Sequence, residues 1–226
     1  MQIVESSFIG LRSARIELAS DTCKTRITLF PMAHVGESAF FEQVASDALA
    51  HDLVLIEGVG GRVARRLTRV YRWAGVSRLG LMQQPKLAVG GHVRNADLSS
   101  EAFEQQWAKV PFATRVLYTC DACLRGIWIR LTGSRERLAR HLIVDDLTSR
   151  EDHLAGAGKN APILWALIGA RDACVINHLD AALHQNAHNR IAVVFGASHI
   201  PALLRHLSDA HNYAPTDNTW MTVFSL

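Results

Sequence analysis

Several features that commonly announce a function are scarce or missing from this chain. Cysteine is sparse: Cys23, Cys120, Cys123 and Cys174 are scattered through 226 residues, too thinly for a disulfide framework, so reduced thiols are expected. No apolar run reaches the roughly 18 residues a bilayer span requires, and no basic-then-apolar leader opens the sequence. A soluble, cytoplasmic protein is therefore expected. A charge excess is missing too: 24 Lys and Arg face 21 Asp and Glu, a formal +3, which argues against nucleic acid as a partner. Gly58-Val-Gly60-Gly61 has neither the dinucleotide-binding spacing nor the Lys-Ser/Thr of a P-loop, which argues against nucleotides. His184 and His188 stand four apart without the intervening glutamate of a zinc-protease helix. No internal repeat or low-complexity tract is evident, and nothing in the pattern sets an oligomeric state.

What the chain does have is core-forming material. With 49% hydrophobic residues it can build one large domain, and it reads as a single α/β domain over 1–226 with a helical insertion over 100–160. The expected architecture is a mixed, largely parallel sheet flanked by helices. Residues 14–19 alternate as a strand and are placed in a hairpin with a strand over 26–30. Residues 37–50 put Phe40, Phe41, Val44 and Ala48 on one helical face, and 52–56 is the continuous apolar run of a parallel strand covered on both sides. A short crossover of this kind predicts that the strands over 26–30 and 52–56 are neighbours. A weak strand over 87–93, a linker over 156–162, a helix over 163–183, a strand over 191–195, a helix over 201–207 and a closing strand over 220–224 complete the reading.

Chemistry falls where strands stop. His34 follows the first parallel strand, Glu57 the second, and His199 the strand over 191–195. Ligands of open α/β sheets bind beyond the carboxyl ends of the strands, so these three side chains define a candidate crevice. Two imidazoles and a carboxylate suit a divalent ion such as zinc, manganese or cobalt, with His34, Glu57 and His199 as ligands. They suit equally a metal-free base with an orienting carboxylate, in which one histidine is oriented by Glu57. Glu37, three residues beyond His34, is either a general base in the same crevice or an acidic residue in the first turn of a helix. Arg171, on the helix over 163–183, and Asp97, just before another helix, are candidates for binding substrate or supporting the site.

The same residues resemble a known family. His34 in PMAHVG, Glu57 in LVLIEGV and His199 in VVFGASH, in that order and separated by a helical region, are similar to the motifs of the TraB/Tiki superfamily, which groups with erythromycin esterase-like and ChaN-like proteins. Gly196-Ala-Ser-His199 keeps the family's Gly-x-x-His spacing, and Arg171-Asp172 resembles a polar pair on its preceding helix. Pro31 stands where that family usually has glycine. The resemblance covers most of residues 26–207. It implies an α/β fold and a hydrolytic, in some members metal-dependent, site acting on an amide or ester bond in a peptide or small signal molecule. The rival expectation is a non-catalytic protein that uses the crevice to recognise such a ligand.

Two further patterns invite function and receive plainer readings. Arg62, Arg65, Arg66, Arg69 and Arg72 form a solvated helix face rather than a phosphate-binding stripe. Cys120 and Cys123 have redox or metal spacing, but no second pair accompanies them.

Overall fold

A computed structural model describes residues 2–73, 76–142 and 161–226. The strands are β1 (Val4–Ser6), β2 (Gly10–Ser20), β3 (Arg26–Met32), β4 (Val35–Gly36), β5 (Leu53–Ile56), β6 (Met82–Gln83), β7 (Val93–Asn95), β8 (Arg190–Gly196) and β9 (Tyr213–Ser225). The helices are α1 (Ser38–Leu49), α2 (Gly61–Trp73), α3 (Ser100–Lys109), α4 (Phe112–Thr132), α5 (Arg135–Leu142), α6 (Ala161–Leu164), α7 (Ala170–Gln185) and α8 (Ile200–His211). A π-helical turn, Trp165–Gly169, joins α6 to α7.

The protein is α/β, with a mostly parallel mixed sheet flanked by helices. β3, β8, β5 and β7 run parallel in that spatial order. β2 pairs antiparallel with β3 and, along its other edge, with β9. Ile27 to Met32, Leu53 to Ile56 and Ile191 to Gly196 are buried at every position, the burial expected of strands covered on both faces. The hairpin of β2 with β3 matches the sequence reading, with Ile16 opposite Leu29.

One expectation about order is corrected: β3 and β5 are not neighbours, because β8 lies between them and bonds to both. The crossover through α1 spans a gap that a strand from the far end of the chain fills. β8 suits that position, since Ile191, Ala192, Val193 and Phe195 are fully buried and its backbone has partners on both sides. The weak strand expected over 87–93 is also displaced, to Val93–Asn95, beyond the turn at Gly90 and Gly91. The closing strand is longer than expected, running Tyr213–Ser225 against the whole of β2.

The helical stretch between β7 and β8 contains α3, α4 and α5; residues 143–160, which include most of the expected linker, lie outside the described residues. Here the fold builds a second, smaller apolar cluster of Trp107, Val110, Ile163 and Ala166, against which Val63, Leu67, Tyr118 and Leu167 pack. Gly61 holds the entry to α2 at φ +92°, and a Cβ there would meet Glu104 and Ser100 of α3, so glycine is required both for the turn and for the approach of the two helices. Arg62, Arg65 and Arg66 are exposed on α2, as read from sequence; the side chains of Arg69 and Arg72 lie outside the described residues.

Candidate functional site

The parallel register brings the ends of four strands to one edge. Met32 pairs with Gly196, Ile56 with Val194 and with Asn95, so His34, Glu57, Asp97 and His199 all emerge from the carboxyl edge of the sheet. Above that edge lies a cavity of about 950 Å³. His34, Glu57, Gly196, His199, Gln84 and Arg171 contribute its polar lining, while Phe41, Val44, Ile56, Val59, Leu67, Phe103, Tyr118, Ile163 and Leu167 make much of the wall apolar. The sheet edge thus supplies the chemistry, and α1, α2, α3, α4 and the α6–α7 helix supply a greasy enclosure.

Within this cavity, Glu57 is held in place at both oxygens. Its Oε1 accepts from Arg171 Nη2 at 2.5 Å and its Oε2 from the Gly196 backbone N–H at 2.5 Å. Gly196 is constrained in return, because a Cβ at that position would lie 2.9 Å from Oε2. Burial alone would raise the Glu57 pKa, but Arg171, His199 and His34 outweigh it and hold the carboxyl at about 2. Glu57 is ionised across the physiological range.

Arg171 is clamped between two acids. Besides Glu57 it donates through Nε to Asp97 Oδ1 at 3.0 Å and through Nη2 to Asp97 Oδ2 at 2.5 Å. Burial works against the charged guanidinium, yet the hydrogen bonds and charges of Asp97 and Glu57 raise its pKa above the ordinary arginine value. Asp97, whose side chain is fully enclosed, also accepts from the backbone N–H groups of Leu98 at 2.8 Å and Gly58 at 3.2 Å. The N–H of Gly58, at the start of the glycine-rich turn, is thus engaged by Asp97. The role expected of Asp97 and Arg171, support of the site, is compatible with this geometry: the pair fixes Glu57.

His199 is paired with an acid carried on α7. Its Nδ1 lies 2.6 Å from Asp172 Oδ1, both side chains being almost fully buried, and its ring meets Phe195 edge-on. An ionised carboxylate only accepts, so Nδ1–H donates and Nε2 is left as the nitrogen able to take up a proton. The acid that orients His199 is Asp172. Sequence reasoning named Asp172 only as part of the Arg171-Asp172 pair and gave it no partner, although a signal was present. Asp172 falls in line with Val175, Leu179 and Ala182 on the buried face of α7, a position where an acid needs a partner.

His34 is exposed toward the cavity, with protein atoms crowded around its ring. This surrounding desolvates its ring and lowers its pKa below the usual histidine value, Arg171 and His199 adding to the effect and Glu57 and a hydrogen bond with the Gln84 side chain opposing it. At neutral pH the ring is uncharged. Gln84 was not foreseen because residues 79–85 show no clear periodicity; it is brought to His34 by the small β4–β6 pairing, with Gln84 N–H donating to the His34 carbonyl at 3.0 Å.

Two expectations about this site are corrected. Glu37 is not a general base in the crevice: it occupies the N-cap position of α1 without making a side-chain cap bond, and its carboxylate accepts from Arg135 Nη1 at 2.6 Å and Ser225 N–H at 3.4 Å, away from the cavity lining. The metal ligand set of His34, Glu57 and His199 is not assembled either. All three reach the cavity, but among the described residues the set of three His, Cys, Asp or Glu donors gathered within 4.8 Å is Asp180, His206 and His211, elsewhere in the fold. The positive charge that a metal would bring to Glu57 is supplied by Arg171. Cys120 and Cys123 are free thiols on α4. No helix of the described residues is long and apolar enough to cross a membrane.

Comparison with protein-family models, curated proteins and solved structures returned no match for this chain.

Proposed function

We propose that the protein is a TraB/Tiki-like hydrolase that cleaves an ester or amide bond in a small, largely apolar ligand or a peptide, using His199 as general base toward water. The observation that carries this reading is the buried Asp172–His199 pair opening on the polar end of an otherwise apolar cavity. Asp172 is a positioning residue that fixes the imidazole tautomer. His199 Nε2 takes the proton of the attacking water. Beside it, the Arg171 guanidinium bridges the Glu57 and Asp97 carboxylates and holds Glu57 rigidly at the polar end of the cavity. His34, neutral at neutral pH, is suited to hydrogen-bond the polar end of the ligand while the apolar walls take its remainder. No metal is assigned to the crevice.

The alternative, recognition without turnover, is favoured by one observation: both Glu57 oxygens are already held at 2.5 Å, an arrangement as serviceable for a rigid binding pocket as for catalysis. The test is turnover of chromogenic esters of increasing acyl length and of peptide anilides by wild type, His199→Ala and Asp172→Asn, each with and without chelator. We expect hydrolysis by wild type that survives chelation, a loss of about 10²–10⁴-fold in kcat for His199→Ala, and an altered pH profile with little change in KM for Asp172→Asn. Undiminished turnover by His199→Ala overturns the proposal. Ligand-induced thermal stabilisation without any turnover selects the recognition reading, and activity abolished by chelator and restored by zinc in His206→Gln as in wild type restores a metal to the crevice.

A further inference from the structure

A second cluster of ionisable side chains lies where α7 and α8 pack together, outside the cavity. Asp180 Oδ1 is 2.8 Å from His206 Nε2 and 2.8 Å from His211 Nε2, so two imidazoles converge on one carboxylate oxygen. Their rings face each other edge-on with centroids 5.5 Å apart. One turn along α7 from Asp180, His184 places its ring 6.3 Å from that of His211 and hydrogen-bonds through Nδ1 to the Asp180 carbonyl at 2.7 Å. A carbonyl only accepts, so His184 keeps its proton on Nδ1 and presents a lone pair on Nε2, the tautomer found in metal-ligating histidines.

We infer that Asp180, His206 and His211 form a binding site for a divalent transition ion of the zinc class. The donor chemistry fits, since two imidazole nitrogens and a carboxylate oxygen are the borderline set that zinc and cobalt accept. The geometry is close to what is needed. Tetrahedral ligands about 2.0–2.1 Å from an ion stand roughly 3.3 Å from one another. The 2.8 Å contacts therefore have to open by only about half an ångström, within the reach of side-chain rotation. On binding, the imidazoles that now donate from Nε2 move that proton to Nδ1 or release it to water, and the freed lone pairs coordinate the ion. Access is direct, because Asp180, His206 and His211 are each about a quarter exposed.

The site is separate from the cavity. Asp180 lies eight residues beyond Asp172 on the same helix, about 12 Å along its axis. An ion there would clamp α7 to α8, the two elements that deliver Asp172 and His199 to the crevice, and so act as a staple rather than a reagent.

The experiment is calorimetric titration of the full chain with zinc, after chelator treatment and desalting, repeated with cobalt to read coordination from its visible absorption. Wild type, His206→Gln, His211→Ala, Asp180→Asn and His34→Ala are compared, with circular dichroism confirming each fold. His206→Gln is included because it keeps a polar side chain of similar reach while removing the imidazole. Expected are one equivalent bound by wild type and by His34→Ala, with a rise in Tm, and a loss of affinity of at least about tenfold in each of the three cluster variants. No stoichiometric binding by wild type overturns the inference, as does binding by the cluster variants within twofold of wild type. Binding lost in His34→Ala but retained in His206→Gln also overturns it, and moves the ion to the crevice.

Discussion

Replacing Arg171 by methionine isolates the electrostatic frame of the site. In the folded protein its guanidinium lies between Glu57 and Asp97, whose side chains are 12% and 0% exposed. The Glu57 carboxyl sits at about 2 against an ordinary value of 4.5, a difference equivalent to roughly 3 kcal/mol of folding stability. Because the folded-state value lies below the unfolded one, this contribution is complete above about pH 4.5 and is lost as pH falls toward 2. Methionine fills similar space but leaves two buried carboxylates without their cation, for which about 3–5 kcal/mol of destabilisation is expected at pH 7. In a chain of this length that corresponds to a fall in Tm of about 6–20 °C. The pH dependence should invert. Without Arg171, burial becomes the dominant influence on Glu57 and raises its pKa above the unfolded value, so the variant gains stability as pH is lowered from 7 toward 5, whereas wild type does not. Urea unfolding followed by circular dichroism at pH 7 and pH 5 reads both quantities. A loss under 1 kcal/mol, or a wild-type pH slope in the variant, would refute the ion-paired frame.

Gly196→Ala should cost about 1–3 kcal/mol, because its Cβ would press to 2.9 Å from a Glu57 oxygen already tied to Arg171; an unchanged urea midpoint would mean that Glu57 relocates freely. Cys120→Ala combined with Cys123→Ala should leave turnover, Tm and oxidant response at wild-type levels, since both are free thiols on the partly exposed α4 and neither lines the cavity. A redox-dependent change in that double variant, read by peroxide titration of activity, would contradict this.

His34, Glu57 and His199 were legible at strand ends because apolar β runs stop abruptly in polar residues, a local signal that needs no knowledge of pairing. Asp97, Arg171 and Asp172 were singled out as well, but which of them meets which was not legible, for two physical reasons. The pairing of Asp172 with His199 follows only when α7 is known to bury the face containing Val175 and Leu179, and that of Asp97 with Arg171 and Gly58 only when β7 is known to lie beside β5. Strand order is a long-range property, and nothing local in residues 190–196 says that they intervene between β3 and β5. The histidines of α8 were likewise invisible beside Asp180, because the three residues meet across two helices rather than along one.

The central position of β8 has a kinetic consequence. Arg26 pairs with Arg190, so this contact closes a loop on the order of 160 residues, an entropically slow step compared with forming the β2–β3 hairpin or α1. Until β8 inserts, β3 and β5 each present an open edge toward the gap, and Glu57 lacks the Gly196 N–H that holds it. The crevice is thus expected to form late in folding, and a nascent chain arrested before residue 190 carries open edges on β3 and β5, a further one on β2 where β9 has yet to pair, and no site. Chaperone dependence and aggregation should concentrate in that interval.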